Sequence, residues 1–426
     1  MDLIRRLPKM ALQLTRHYAR QLWVRVMLMG LLAFLSLGLT QLVEPFVPSE
    51  LASGVPGSSA DRLLNLIASA MLAVTTFSLT VMVSVYQASS SQWTPRVHQL
   101  IMQDAVTQNT LAAFTGAFVF SLVAIILRET GIYVDDRALV LFWTTVLVLA
   151  YVVFSLIRWV LHLQTLGSLI DTTRQIEEIT LRRFEERLQT PCLGACSWTD
   201  DIPSEAWSLN SERSGYVQHV FADALQEVAV EHDVRLFLHR AVGSFIFANE
   251  PLLWIVGEPD DPEKLEHEIV QLLVLGDVRT HDQDPRFGLL LLSEIGSRAL
   301  SPGINDPGTA IDVLNRMAKI LGRYRDETST DTAPRNEHLY VRPLDPRDLL
   351  MDAFGGIARD GAHLLEVQQR LQKALGSLAH HPDPGLSSVA AEMAREYYDR
   401  ASEALDWAAD RDRLSRHLPQ TGSTSE

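Results

Sequence analysis

From Leu63 to Thr94 the chain contains no Asp, Glu, Lys, Arg or His, an apolar run long enough to carry a helix across a bilayer. Three more apolar segments flank it, so the pattern predicts four membrane helices, at about 22–43, 63–86, 110–127 and 138–157, within a membrane domain spanning 22–165. Trp23, Trp93, Trp143 and Trp159 fall near the segment ends, where an aromatic belt would place them. Thr94-Pro95-Arg96 has the form of an N-cap followed by proline, which predicts a short interfacial helix after the second span. Beyond the fourth span the helical pattern does not stop, so residues 166–212 read as a stalk helix and linker, its charged residues facing water or a neighbouring subunit.

The period then changes. Ser214-Gly-Tyr-Val-Gln-His-Val, Val234 to His239, Gly243 to Phe247 and Leu252 to Val256 read as strands around a helix at 221–232, giving a small β-rich unit over 213–258. Helices dominate 259–416, and four of them open with Asp-Pro, at Asp261, Asp284, Asp306 and Asp345. In each, the carboxylate can accept orphan backbone N–H bonds just before a residue that has no N–H to satisfy. Residues 287–299 and 309–324 should form a helical hairpin, 339–342 a returning strand, and 346–379 and 386–415 two long helices, before a disordered tail at 417–426. The fold class is thus an α-helical membrane domain of four transmembrane helices plus a mixed α/β cytoplasmic domain.

Charge orients this arrangement. Residues 1–21 form a basic amphipathic segment suited to anionic headgroups, whereas the first loop holds a single Arg against three acids. The positive-inside rule then puts the N-terminus, and after four crossings the C-terminal domain, on the cytoplasmic side of a bacterial inner membrane. Up to residue 165 there are eleven Lys or Arg and eight Asp or Glu; the remainder holds 26 against 44, so all the net acidity of the −15 chain lies in the second part. An acidic surface argues against nucleic acid as a partner.

Three places carry candidate chemistry. In the second span Ser69, Thr76, Thr80 and Ser84 repeat at helical spacing, and hydroxyls can partly replace an ion's hydration shell, so they are candidate pore-lining residues. The same residue types also bond their own i−4 carbonyls or pack small against a neighbouring helix. At the predicted hairpin, Gln283, Asp284, Asn305 and Asp306 are candidate ligand-binding residues, expected to converge with Asp282 and His281 where two helix N-termini meet. Capping explains the two aspartates, leaving Gln283 and Asn305 as the surplus. No metal site is expected, because Cys192 and Cys196 have no second pair. Nor is a cofactor, since no lysine between 214 and 257 could carry biotin or lipoate. Gly-X-Ser-X-Gly, a phosphate-binding loop, a dinucleotide fingerprint and His-Glu-X-X-His are all missing, which argues against an enzyme.

Gln283-Asp-Pro-Arg-Phe-Gly, Arg298-Ala-Leu-Ser-Pro-Gly-Ile-Asn-Asp-Pro-Gly-Thr-Ala310, Ser214-Gly-Tyr-Val-Gln218 and Thr94-Pro95-Arg96 with Gln108 resemble an uncharacterised family of bacterial membrane proteins, domain of unknown function 2254. The resemblance covers nearly the whole chain and implies four membrane helices plus a cytoplasmic domain, without an activity. Where that family usually reads Gly-Asp-Phe, Ser244 replaces the acid. The expectation is therefore a channel-like or transport-related homo-oligomer in a lipid bilayer, with a cytoplasmic assembly or gating domain. The alternative is a membrane-anchored sensor or scaffold whose cytoplasmic domain binds a small ligand or protein.

Overall fold

The computed structural model describes residues 22–43, 57–102, 104–130, 138–199, 201–329 and 333–418. The predicted amphipathic segment at 1–21 and all but the first two residues of the predicted disordered tail lie outside them. The chain divides into two compact units, Met1–Asp171 and Thr172–Glu426.

The first unit is helical: α1 (Leu22–Val43), α2 (Gly57–Gln92), α3 (Pro95–Met102), α4 (Ala105–Glu129) and α5 (Ala138–Leu163). Three stretches are long and apolar enough to cross a membrane, Ser58–Ser89, Val106–Glu129 and Val140–Leu163, and a shorter apolar stretch, Val26–Ser36, lies in α1. Helix α4 is the hub. Its Phe114, Ala117, Phe120 and Ala124 are buried in one core with Leu64 and Ile67 of α2 and Leu141 and Val148 of α5. Met29 of α1 sits directly on Gly116, where any side chain would collide with it. Polar ties hold the helix ends, with Arg128 Nη2 donating to Asp61 Oδ2 at 2.9 Å and His162 Nε2 lying 2.8 Å from Asp104 Oδ2. Thr94 caps α3, its Oγ1 accepting from Val97 N.

The expected unbroken run from the fourth span into a stalk is not observed. Helix α5 ends at Leu163, Gly167 adopts a left-handed φ of 82°, and α6 (Leu169–Gln189) starts anew. Nor is the charged stretch of α6 simply exposed. Glu177 is buried with Ile176, Thr180 and Phe184, and it accepts from Arg316 and from Lys319 Nζ, the latter at 2.8 Å.

The second unit contains two sheets. A five-stranded sheet runs β1 (Ala195–Ser197), β8 (Asn336–Val341), β4 (Arg235–Leu238), β6 (Pro251–Val256), β2 (Trp207–Asn210); β1, β8 and β4 are parallel to one another, and the β6 pairings are antiparallel. A three-stranded antiparallel sheet runs β5 (Phe245–Ile246), β3 (Gly215–Val220), β7 (Leu273–Gly276). Strands β1, β2, β7 and β8 come from outside 213–258, so the β-rich unit is assembled from distant segments. Leu236, Leu253, Ile255 and Leu339 pack with Leu225 and Val228 of α7 (Ala222–Glu231). Phe237 stacks on Tyr340 at 4.4 Å, and Trp198 packs edge-on to Phe237 in the same cluster.

Helices α8 (Pro262–Gln271), α9 (Pro285–Ala299), α10 (Pro307–Leu321), α11 (Pro346–Asp360), α12 (Leu365–Leu378), α13 (Pro384–Ala404) and α14 (Ala408–Ser415) complete the unit. The four predicted Asp-Pro caps are made, with Asp261, Asp284, Asp306 and Asp345 each accepting from N–H groups of the first turn. Asp383 repeats the device before Pro384. The two predicted long helices are each broken, at 361–364 and 405–407. At the first break the buried Gln368 Nε2 donates to Gly361 O at 2.9 Å, and at the second Arg411 Nη1 donates to Leu405 O at 2.6 Å. Gly361 O also accepts from Leu364 N at 3.0 Å, so at the first break the side chain adds to a turn bond, and at the second it supplies the donor that Leu405 O loses.

Candidate functional site

The hydroxyl row of α2 points away from the core of its unit. Leu64, Ile67 and Met71 face the packed side, while Ser69, Thr76, Thr80 and Ser84 are all exposed. Each hydroxyl donates within its own helix: Ser69 to Asn65 O at 2.8 Å, Thr76 to Leu72 O at 2.9 Å, Thr80 to Thr76 O at 3.0 Å and Ser84 to Thr80 O at 2.9 Å. With each proton committed to a carbonyl, only oxygen lone pairs are left to face outward. Asn65 extends the row, since its Nδ2 donates to Asp61 O at 3.0 Å and leaves its amide oxygen free to accept. Its place one turn before Ser69 was the signal in the sequence, and it was missed. Thr75 and Ser78 lie on the other flank, where their hydroxyls are buried with no partner among the described residues.

The four candidate ligand residues of the second unit do not converge. Gln283 and Asp284 stand at the start of α9 and Asn305 and Asp306 beyond its end, with about 22 Å of helix between them. The hairpin turn joins the C-terminus of α9 to the N-terminus of α10, so two helix N-termini do not meet there. Gln283 imitates a strand neighbour: its Oε1 accepts from Val220 N at 2.8 Å and its Nε2 donates to Val220 O at 3.1 Å, completing the end of β3. Asp284, 1% exposed, accepts from Arg279 Nε at 2.5 Å and Nη2 at 3.1 Å and from the N–H groups of Arg286 and Phe287 at 3.1 Å. Burial pushes its carboxyl up, and the Arg279 guanidinium and the Phe287 N–H oppose that.

The rest of the motif is equally committed. Arg286 bridges Asp348 at 2.5 Å and Asp352 at 2.7 Å, and a side chain on Gly288 would overlap Thr180. Phe287 lies under Arg279 and beside His281, whose ring centroid is 4.6 Å away. Burial, with Arg183 and Arg279 adding to it against Asp282, pushes His281 down to about 4, so the ring is neutral at pH 7. Gly243, at φ 89°, is required because a Cβ there would overlap the Asp284 carboxylate.

At the turn, Asn305 takes a left-handed φ of 52° and its N–H donates to Ser301 O at 2.9 Å, while Asp306 N donates to Ala299 O at 2.8 Å and closes α9. Asp306 accepts from Thr309 N at 3.1 Å and Thr309 Oγ1 at 2.5 Å, bonds that hold its carboxyl below the usual range.

No built metal centre emerges among the described residues. Glu231, His232 and Glu268 cluster at the surface, but Lys264 Nζ lies 3.5 Å from Glu231 and 3.8 Å from Glu268 and supplies the positive charge. Cys192 is buried and its thiol is pushed up to about 12 by burial and by Glu327, which makes it unreactive. Glu327 in turn is held by Arg187 Nε at 2.6 Å and by the N–H groups of Cys192 and Leu344, an interior clamp rather than an acid poised for substrate.

Residues 19–377 match the profile of the family described as "Predicted membrane protein (DUF2254)". The uncharacterized proteins Mb1321c of Mycobacterium bovis and Rv1290c of Mycobacterium tuberculosis are each 28% identical to the chain over 289 residues, which cover 63% of this chain and 52% of each relative. The chain therefore spans about half the length of these relatives. No solved structure matches it. With a match over most of its length, and with three helices able to cross a bilayer, the chain belongs to this family of predicted membrane proteins whose function is unknown.

Proposed function

We propose that the protein is an inner-membrane homo-oligomer in which α2 lines a channel-like path for small cations. The observation that carries this reading is the outward row of Ser69, Thr76, Thr80 and Ser84, whose free capacity is entirely for accepting, extended by the amide oxygen of Asn65. Acceptor oxygens are what a dehydrating cation needs, and around a symmetry axis several copies of one row would surround it. In this reading α1 supplies the fourth span, its short apolar stretch extended at the cytoplasmic end by basic residues. The N-terminus and the acidic second unit then lie in the cytoplasm, where that unit assembles or gates the path.

The rival, a membrane-anchored sensor or scaffold, draws less support, since Gln283, one of the two residues that motivated it, spends its side chain on completing the end of β3. The deciding experiment is cation flux into proteoliposomes containing the purified full chain. Wild-type protein should conduct and the Thr76→Leu/Thr80→Leu variant should not. Vesicles that remain tight with wild-type protein, verified as inserted, would overturn the reading.

A further inference from the structure

A cleft of about 400 Å³ opens within the first unit between α1, α4 and α5. Part of its lining is apolar, with Leu28 and Met29 of α1, Ala112 and Ala113 of α4, and Phe154 of α5. The rest carries Asn109, Thr110, Ser155 and Arg158, and no acid is among the described lining residues. Thr110 is 4% exposed and Ser155 7%, yet neither hydroxyl donates to a carbonyl of its own helix among the described residues. Elsewhere on α5, by contrast, Thr144 and Thr145 donate to their i−4 carbonyls at 2.8 and 2.7 Å. Among the described residues Arg158 likewise faces no carboxylate, whereas Arg128 in the same unit is paired with Asp61.

We infer that this cleft holds one anionic phospholipid, its phosphodiester against Arg158 and the polar side chains, and part of an acyl chain along the apolar lining. Depth supports the assignment. Arg158 lies five residues before the end of α5 and Thr110 five after the start of α4, each about 7 Å inside its helix end. That is the level where a long cationic side chain reaches the headgroup region. A guanidinium matches two phosphate oxygens at once, and the hydroxyl and amide groups supply further donors. A soluble anion would leave the apolar lining wet, and a neutral lipid would leave Arg158 without a counter-charge. The inference rests on membrane residence alone and is independent of the conduit reading.

Native mass spectrometry of the full chain in mild detergent tests it, with phosphatidylglycerol, phosphatidylcholine and inorganic phosphate as separate probes. The expected result is one retained phosphatidylglycerol per chain, little phosphatidylcholine, and no competition by millimolar phosphate. Arg158→Gln should weaken retention about tenfold, and Thr110→Val, which removes a hydroxyl at constant volume, should weaken it by a smaller factor. A melting temperature within a few degrees of wild type certifies each variant as folded, and Thr110→Val carries the test if Arg158→Gln does not fold. Equal retention of the two lipids, displacement by phosphate, or retention unchanged in the folded variants would overturn the assignment.

Discussion

Asp284 in the second unit and Ser155 in the first are both polar and both buried, but they stand in opposite conditions. Asp284 accepts from a forked guanidinium and two backbone N–H groups, whereas Ser155 faces a cleft and donates to no carbonyl of its own helix among the described residues. The contrast extends to the surface. In the water-facing reading of the second unit, Gln283, Arg286, Asn305 and Asp306 each complete a strand, bridge helices or close a turn. On α2, Ser69, Thr76, Thr80 and Ser84 are satisfied as donors and unused as acceptors. On α2 the unused accepting capacity is thus gathered in one row along an apolar helix, where polar groups are most costly to leave idle. That is the physical ground for looking for function among the membrane helices.

The sharpest way to break this contrast is to remove a committed group. Asp284→Ala leaves Arg279 facing a vacated, largely buried site and uncaps α9, so a loss of about 3–5 kcal/mol is expected. Hydrogen exchange of the Pro285–Ala299 amides in lipid nanodiscs reads it. An effect under about 1 kcal/mol would mean that the motif is not structural and that its polar groups are available to a ligand after all.

His281 provides the next largest effect, through pH. Its folded value of about 4 lies below its ordinary 6.5, so the unfolded chain binds the extra proton between those limits. Stability from this group is therefore complete above pH 6.5 and is lost as pH falls toward 4, by at most about 3 kcal/mol. Burial also lowers His219 and His239, adding slope of the same sign. The Lys319 and Arg316 donors outweigh burial and hold Glu177 low, so its contribution is present at neutral pH and fades only at lower pH, as that carboxylate protonates. Denaturant melts at pH 7 and pH 5 should show a shallower difference in His281→Gln than in wild type; an unchanged difference would show that the ring is not buried.

What could be read from the sequence follows the range of the interactions. Helices α2, α4 and α5 cover the predicted apolar segments at 63–86, 110–127 and 138–157, and the Asp-Pro pairs mark helix starts, because hydropathy and capping are local. Strand β1 was invisible, since three residues following a left-handed turn at Cys192 and Leu193 become a strand only by pairing with β8, about 140 residues onward. The breaks at 361–364 and 405–407 were hidden because the bonds that stabilise them, from Gln368 to Gly361 O and from Arg411 to Leu405 O, leave no mark in the periodicity. Gln283 stood out as surplus for the same reason: its partner, Val220, lies 63 residues away. The supposed convergence with Asn305 failed on simple geometry, a fifteen-residue helix lying between them. The α2 row was legible because its spacing is set by a single helix.

A smaller loss is expected at the hairpin turn, where Asp306→Ala removes two bonds from Thr309 and should cost about 1 kcal/mol, read as faster exchange in the first turn of α10. An effect as large as that of Asp284→Ala would show that the turn is more than a cap.

The smallest expected effect discriminates most. Thr76→Val and Thr80→Val delete hydroxyls that bond only their own helix and face away from the core, so each should change stability by less than about 0.5 kcal/mol. Valine keeps the shape and removes the outward lone pairs. Thermal melting and cation flux measured on one nanodisc and proteoliposome series then separate three cases. Unchanged melting with lost flux identifies the row as the lining of the path. Unchanged melting with unchanged flux means that the row faces lipid and that its oxygens are idle. A lowered melting temperature would mean that the hydroxyls hold a neighbouring helix, placing α2 on the side of Asp284 rather than of Ser155 and removing the contrast from which the conduit reading starts.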